Sequence, residues 1–149
     1  MSRADIVAVG ASGSSTLVVE VRDRLGVSPD WAAKLRRNLI AHGVVGNAKY
    51  FLLATPDRFF LWKDIAVGAL EVPPTCLIDA MDLLAPYFAA AGISPKKVSE
   101  HSFELIVAAW LRDLLATDDL PTNVRQTHPW LSELFDELKG GHVACEVVA

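Results

Sequence analysis

The sequence predicts one α/β domain, and three observations predict it. Two β-rich runs flank a short polar turn at the N-terminus. A punctuated helix then leads into two more β-rich runs. The rest is mostly helical and closes on a last β-rich run. With 149 residues, 52% apolar and 21% charged, the chain has enough apolar material for a sizeable core, and this composition argues against disorder.

The elements follow in order. Asp5–Gly10 (D-I-V-A-V-G) is a β run, Ala11–Ser15 (A-S-G-S-S) is turn chemistry, and Thr16–Arg22 (T-L-V-V-E-V-R) is a second β run, so the three read as a hairpin. Ser28, Pro29 and Asp30 are an N-cap, a first-turn proline and an acid suited to the positive end of a helix. Trp31, Leu35 and Leu39 give that helix an inward stripe, and Gly43 after His42 stops it. Tyr50–Thr55 and Phe59–Trp62 read as a second hairpin across T-P-D-R. Residues 1–64 thus form a strand-strand-helix-strand-strand unit.

Residues 65–149 read as a helical part with a final strand. Pro73-Pro74 breaks the chain, and Thr75 caps a helix to about Ala91, which Pro86 either kinks or splits. Ser99 to about Ala116 carries the strongest helical pattern, with Phe103, Val107, Trp110, Leu111 and Leu114 on one side. A last helix fits His128–Lys139, ended by Gly140-Gly141, and His142–Val148 reads as the final strand.

No apolar run is long enough to span a membrane, and no signal peptide is evident, so a cytoplasmic protein is expected. Cys76 and Cys145 are too few for a disulfide framework or a zinc cluster. The net charge of −4 is uneven. Residues 1–64 hold nine Lys/Arg against six Asp/Glu, and residues 65–149 hold five against twelve. A basic N-terminal half suits an anionic partner such as a phosphate backbone; solvated surface charge is the plainer reading. Lys34 and Arg37, three apart on the first helix, are the candidate nucleic-acid contacts.

The chemistry concentrates at the first hairpin. A four-residue turn, Ala11–Ser14, pairs Gly10 with Ser15 and sets Asp5 opposite Glu20. Arg22 lies two residues past Glu20 and shares its face. Opposed acids destabilise a strand pair unless a cation bridges them. Two readings stand side by side: a hard metal such as Mg²⁺ held by the acids, or Arg3 or Arg22 paired with Glu20 at a solvated edge. One more residue in the turn would send the two acids to opposite faces.

Asp5, then Glu20-Val21-Arg22, then a helix resembles the signature of the PD-(D/E)XK restriction-endonuclease-like nuclease superfamily. W-A-A-K-L-R-R-N-L-I-A-H-G, Y-F-L-L-A-T-P-D-R-F-F-L-W-K-D and D-A-M-D-L-L-A-P-Y-F are similar to small stand-alone bacterial members. The resemblance implies a restriction-endonuclease-like mixed sheet flanked by helices. It also implies Mg²⁺-dependent phosphodiester hydrolysis on nucleic acid. Asp5, Glu20 and the Val21 carbonyl would be metal ligands, and Arg22 would stand at the motif lysine as the third catalytic residue.

Two departures point to an alternative, a catalytically degenerate module that binds nucleic acid or protein or serves in assembly. Arg22 replaces Lys and cannot accept a proton. The superfamily's first helix and strand are missing before Asp5. An active site is expected to hold the three residues convergent and open to water, and a degenerate one to lock Arg22 onto an acid. The bare edge beside Asp5 is expected to be covered by His142–Val148 or by a second chain, as a homodimer.

Overall fold

A computed structural model describes residues 3–13, 16–44, 48–63 and 71–148. Its centre is a six-stranded mixed sheet. Strands β1 (Arg3–Val9) and β2 (Thr16–Val21) form the first hairpin, and helix α1 (Pro29–Ala41) follows. Strands β3 (Tyr50–Ala54) and β4 (Arg58–Lys63) form the second hairpin, with β5 (Cys76–Asp79) beyond it. Helices α2 (Met81–Ala91), α3 (Glu100–Ala116), α4 (Thr122–Thr127) and α5 (Pro129–Leu138) precede β6 (His142–Val148). The spatial order is β5-β4-β3-β2-β1-β6. Only β2 and β3 pair in parallel; every other neighbouring pair is antiparallel. A parallel pair needs a crossover connection, and α1 supplies it.

The hairpin register is the one that turn length predicts. Ile6 pairs with Val19 and Val9 with Thr16. The expected Gly10–Ser15 pair lies outside the described residues. This register sorts the sheet into two faces. Ile6, Ala8, Leu17, Val19 and Val21 join Leu52, Phe59 and Leu61 under α2, α3 and α5. Val18, Phe51, Leu53, Phe60 and Trp62 face α1. Strand β3 is buried along its whole length, which is why it reads as a continuous apolar run rather than an alternation.

Helix α1 begins as expected: Ser28 Oγ accepts the Trp31 N–H at 3.1 Å. Its buried face differs from the expected stripe. Trp31, Leu35 and Leu39 are half-buried, whereas Ala32, Ala33 and Arg36 are buried. The reason is the floor beneath, where Phe51, Phe60 and Trp62 already fill the space, so small side chains must meet them.

Two further expectations change, and one helix is unforeseen. The helix expected from Thr75 starts at Met81, because Cys76–Asp79 pairs with β4 as an edge strand, with Ile78 beside Phe59. Asp79 Oδ1 then accepts the Met81 N–H at 3.0 Å and starts α2 in place of Thr75. Pro86 lies inside α2 without splitting it. Helix α4 has no apolar stripe, buries no residue and escapes a pattern search. The expected helix α3 stands, with Ser99 Oγ accepting the Ser102 N–H and Phe103, Val107, Trp110, Leu111 and Leu114 buried.

Strand β6 covers the edge beside β1, with Ile6 opposite Cys145 and Val9 opposite His142. No second chain is needed there. No described helix is long and apolar enough to cross a membrane. The junction of α5 and β6 is tight: a Cβ on Gly141 would overlap the Val9 carbonyl oxygen and come within 2.8 Å of its carbon. Both are backbone atoms of β1 and cannot rotate away. Gly141→Ala is therefore expected to cost about 3 kcal/mol, the upper range for overpacking a close contact. Urea unfolding reads this, and a loss below about 0.5 kcal/mol would show that β6 docks less rigidly than described.

Candidate functional site

The hairpin end brings Asp5, Glu20 and Arg22 together. Asp5 N–H donates to Glu20 Oε1 at 3.3 Å, and the Val21 N–H donates to Asp5 Oδ2 at 2.9 Å. Each acid therefore caps the backbone of the opposite strand, which ties the ladder where regular pairing ends. The Arg22 N–H donates to the Ala54 carbonyl at 3.0 Å and holds the chain against β3 after β2 has ended. Glu20 is almost wholly buried, while the Asp5 and Arg22 side chains are 30% and 26% exposed.

The guanidinium turns back onto the acids. Arg22 Nη1 donates to the Val21 carbonyl at 2.7 Å and to Glu20 Oε2 at 3.3 Å, and lies 3.6 Å from Asp5 Oδ2. These three groups are the metal ligands that the resemblance implies, and one nitrogen stands among them. Mg²⁺ requires oxygens at roughly 2.0–2.1 Å in near-octahedral array. Here the oxygens surround a guanidinium nitrogen at hydrogen-bond range, and a positive charge already fills the shared position. As arranged, the residues do not fit the metal. Among the described residues, no group of three His, Cys, Asp or Glu side chains is placed to hold one.

A small cleft of about 160 Å³ opens beside the cluster, lined by Asp5 and Val21 with Glu100, His101 and Glu104 of α3. Glu104 is buried, and His101 Nδ1 lies 3.9 Å from its Oε2. Sequence reading missed both. The available signal was a charge at Glu104 directly after Phe103, next to the apolar stripe of α3. A larger cleft of about 500 Å³, with Arg112, Lys139 and His142 in its lining, lies at the opposite end of β1 and contains none of the three hairpin residues.

The candidate nucleic-acid contacts are not gathered at this site. Lys34 lies 3.7 Å from Asp30 of the same helix, and Arg37 lies 3.0 Å from Glu71. Each is exposed and engaged with an acid. Lys63 at the end of β4 pairs with Glu133 of α5. Sequence comparison with family models and curated proteins, and structural comparison with solved structures, give no match.

Burial pushes the Glu20 carboxyl from its ordinary 4.5 up to about 8. The hydrogen bond and charge of Asp5 push the same way, and Arg22 opposes them. At neutral pH the folded chain thus holds a proton on Glu20 that the unfolded chain releases. A raised folded value means that the contribution is complete below the unfolded value and is lost as pH rises through the folded one. Between about pH 4.5 and 8, this group lowers stability by up to about 1.4 kcal/mol per pH unit. Glu20→Gln keeps the shape without the titration. The variant is expected to lose that slope and to exceed wild type in stability at pH 9. Urea unfolding from pH 5 to 9 compares the two, and identical slopes would remove Glu20 as the source.

Proposed function

We propose that this chain is a catalytically silent relative of the restriction-endonuclease-like nucleases, acting through binding and assembly rather than phosphodiester hydrolysis. One observation carries this reading: Arg22 Nη1 stands among Val21 O, Glu20 Oε2 and Asp5 Oδ2. Mg²⁺-dependent hydrolysis needs those oxygens for the ion and a water beside it. A guanidinium supplies charge there but has no coordination sites and generates no nucleophile.

The arrangement around the hairpin supports the kinship. The β1–β2 hairpin, α1 and parallel β3 follow the order the resemblance implies. Two elements from the C-terminal part of the chain flank the hairpin. Strand β6 lies antiparallel beside β1, and α3 brings a buried acid, Glu104, to the cleft next to Asp5.

Protein is the better-supported partner class. Lys34 and Arg37, the residues offered for a phosphate backbone, are each neutralised by an acid. Strand β5 is an edge strand, and Leu77 on it and Met81 just after it are exposed apolar side chains. An edge of this kind pairs with another chain through its backbone.

The deciding experiment is a cleavage assay with Mg²⁺ or Mn²⁺ on single- and double-stranded DNA and RNA, for wild type, Arg22→Lys and Glu20→Ala. No metal-dependent cleavage is expected from any of the three. Cleavage by wild type that Glu20→Ala removes by 10²-fold or more, roughly the loss of one electrostatic group in an active site, would establish the hydrolase instead.

A further inference from the structure

The cleft at the other end of β1 gathers positive charge within the acidic half of the chain. It encloses about 500 Å³, inside the usual size range of a small-ligand site, and Arg112, Lys139 and His142 stand in its lining with Leu115 and Val143. Residues 65–149 hold five Lys/Arg against twelve Asp/Glu, and two of those five meet here. Among the described residues, neither is in an ion pair with an acid. Arg112 Nη2 lies 3.6 Å from Cys145 Sγ, a weak acceptor, and Lys139 Nζ lies 5.8 Å from the centre of the Phe135 ring. Asp119, the acid nearest in sequence to the one in the lining, is engaged by Arg125 at 2.5 Å.

Basic side chains near a helix C-terminus commonly satisfy its last carbonyls. Here other donors fill that role. The Thr117 N–H donates to Leu114 O at 3.3 Å and the Gly140 N–H to Leu115 O at 3.2 Å, at the end of α3. The Lys139 N–H donates to Phe135 O at 2.8 Å and the Gly141 N–H to Leu138 O at 3.0 Å, at the end of α5. The charged heads of Arg112 and Lys139 are therefore left for a group from outside the chain. We propose that this cleft binds a small phosphomonoester: Arg112 and Lys139 hold the phosphate, the His142 imidazole donates a further hydrogen bond, and Leu115 and Val143 meet the body of the ligand. A phosphomonoester carries a charge of about −1.5 to −2 at neutral pH, which two cations match, and the guanidinium fork can grip two of its oxygens at once. A single phosphate fits better than a phosphate backbone. Asp118 also lines the cleft and the surrounding half of the chain is acidic, so a long polyanion would be repelled where one compact dianion is not. The cleft shares no residue with the hairpin end, so the proposal stands apart from the silent-module reading.

The test titrates the full chain by calorimetry, at neutral pH and constant ionic strength, with AMP, adenosine, inorganic phosphate and a DNA single strand that lacks terminal phosphates. AMP should bind with a dissociation constant on the order of 10⁻⁴–10⁻³ M, and adenosine and inorganic phosphate each about tenfold more weakly or worse. Arg112→Ala and Lys139→Ala should each weaken AMP by about tenfold or more, yet melt within about 2 °C of wild type, since both side chains are exposed. Asp118→Asn should tighten AMP by about two- to fivefold, because the lining loses its acid. Lys34→Ala, on α1, should bind as wild type does. AMP bound no more tightly than adenosine overturns the proposal. So do folded Arg112→Ala and Lys139→Ala variants that both bind like wild type, or a Lys34→Ala variant that matches their loss. A DNA strand that displaces AMP at equal phosphate concentration also overturns it, by assigning the cleft to a phosphate backbone. Should an alanine variant fail to fold, Asp118→Asn decides: tighter AMP binding supports the proposal, and unchanged or weaker binding overturns it.

Discussion

The pairing of β1 with β2 is the constraint on which the rest of the molecule depends. With β1 held in place, a one-residue slip would turn every side chain of β2 to the other face. Val19 and Val21 would then meet α1, and Val18 would turn toward α3, so neither core would close. The slip would also separate Asp5 from Glu20. The hairpin end resists it with two bonds that are specific to this register, Asp5 N–H to Glu20 and Val21 N–H to Asp5. The acids therefore act first as backbone caps. Burial and the neighbouring Asp5 keep a proton on Glu20 at neutral pH, and Arg22 stands within ion-pair range of Asp5.

Two buried or half-buried arginines meet their charge in different ways. Arg22 has carboxylates and a carbonyl around it. Arg36 is buried between α1 and the sheet with its guanidinium 5.5 Å from the Trp62 ring, and among the described residues its Nε and Nη1 have no hydrogen-bond partner. Burial lowers the pKa of Arg36. An unpaired buried donor costs about 1–3 kcal/mol, and a desolvated cation–π contact returns about 2. Arg36 is thus tolerated by the aromatic floor that also selects Ala32 and Ala33 on α1. The same helix presents Lys34 and Arg37 outward, each beside an acid, so its positive charge is spread over three separate environments rather than gathered into a patch.

Legibility in the sequence followed the range of the interaction. Caps and hairpins are local, so Ser28 was readable from its place before Pro29, and the Asp5–Glu20 register from a four-residue turn. Strand β5 was not, because four residues between Pro-Pro and a helix become a strand only when β4 offers them an edge. The inward face of α1 was misplaced for the same reason: the space above Phe51, Phe60 and Trp62 is set by residues distant in sequence. Convergence of Asp5, Glu20 and Arg22 was legible, since strand spacing alone carries it. The return of Nη1 to the Val21 carbonyl was not, because it depends on a side-chain rotation that spacing does not encode. Glu104 arrives from 84 residues past Glu20, on a helix whose placement over β1 and β2 no local pattern specifies.

The choice of arginine over lysine at residue 22 has a geometric consequence. A guanidinium is a planar fork whose single nitrogen can serve two acceptors while another arm remains solvated. From the end of β2, that shape reaches its own strand's Val21 carbonyl and the Glu20 carboxyl group together and keeps Asp5 within ion-pair range. A lysine ammonium is a compact charge on a flexible stem; it can approach one acid without filling the space between all three oxygens. The carboxylates meanwhile are held by backbone N–H groups, so they cannot close onto a small ion without giving up those bonds. The hairpin end is consequently set at the spacing of hydrogen bonds rather than of metal–oxygen bonds.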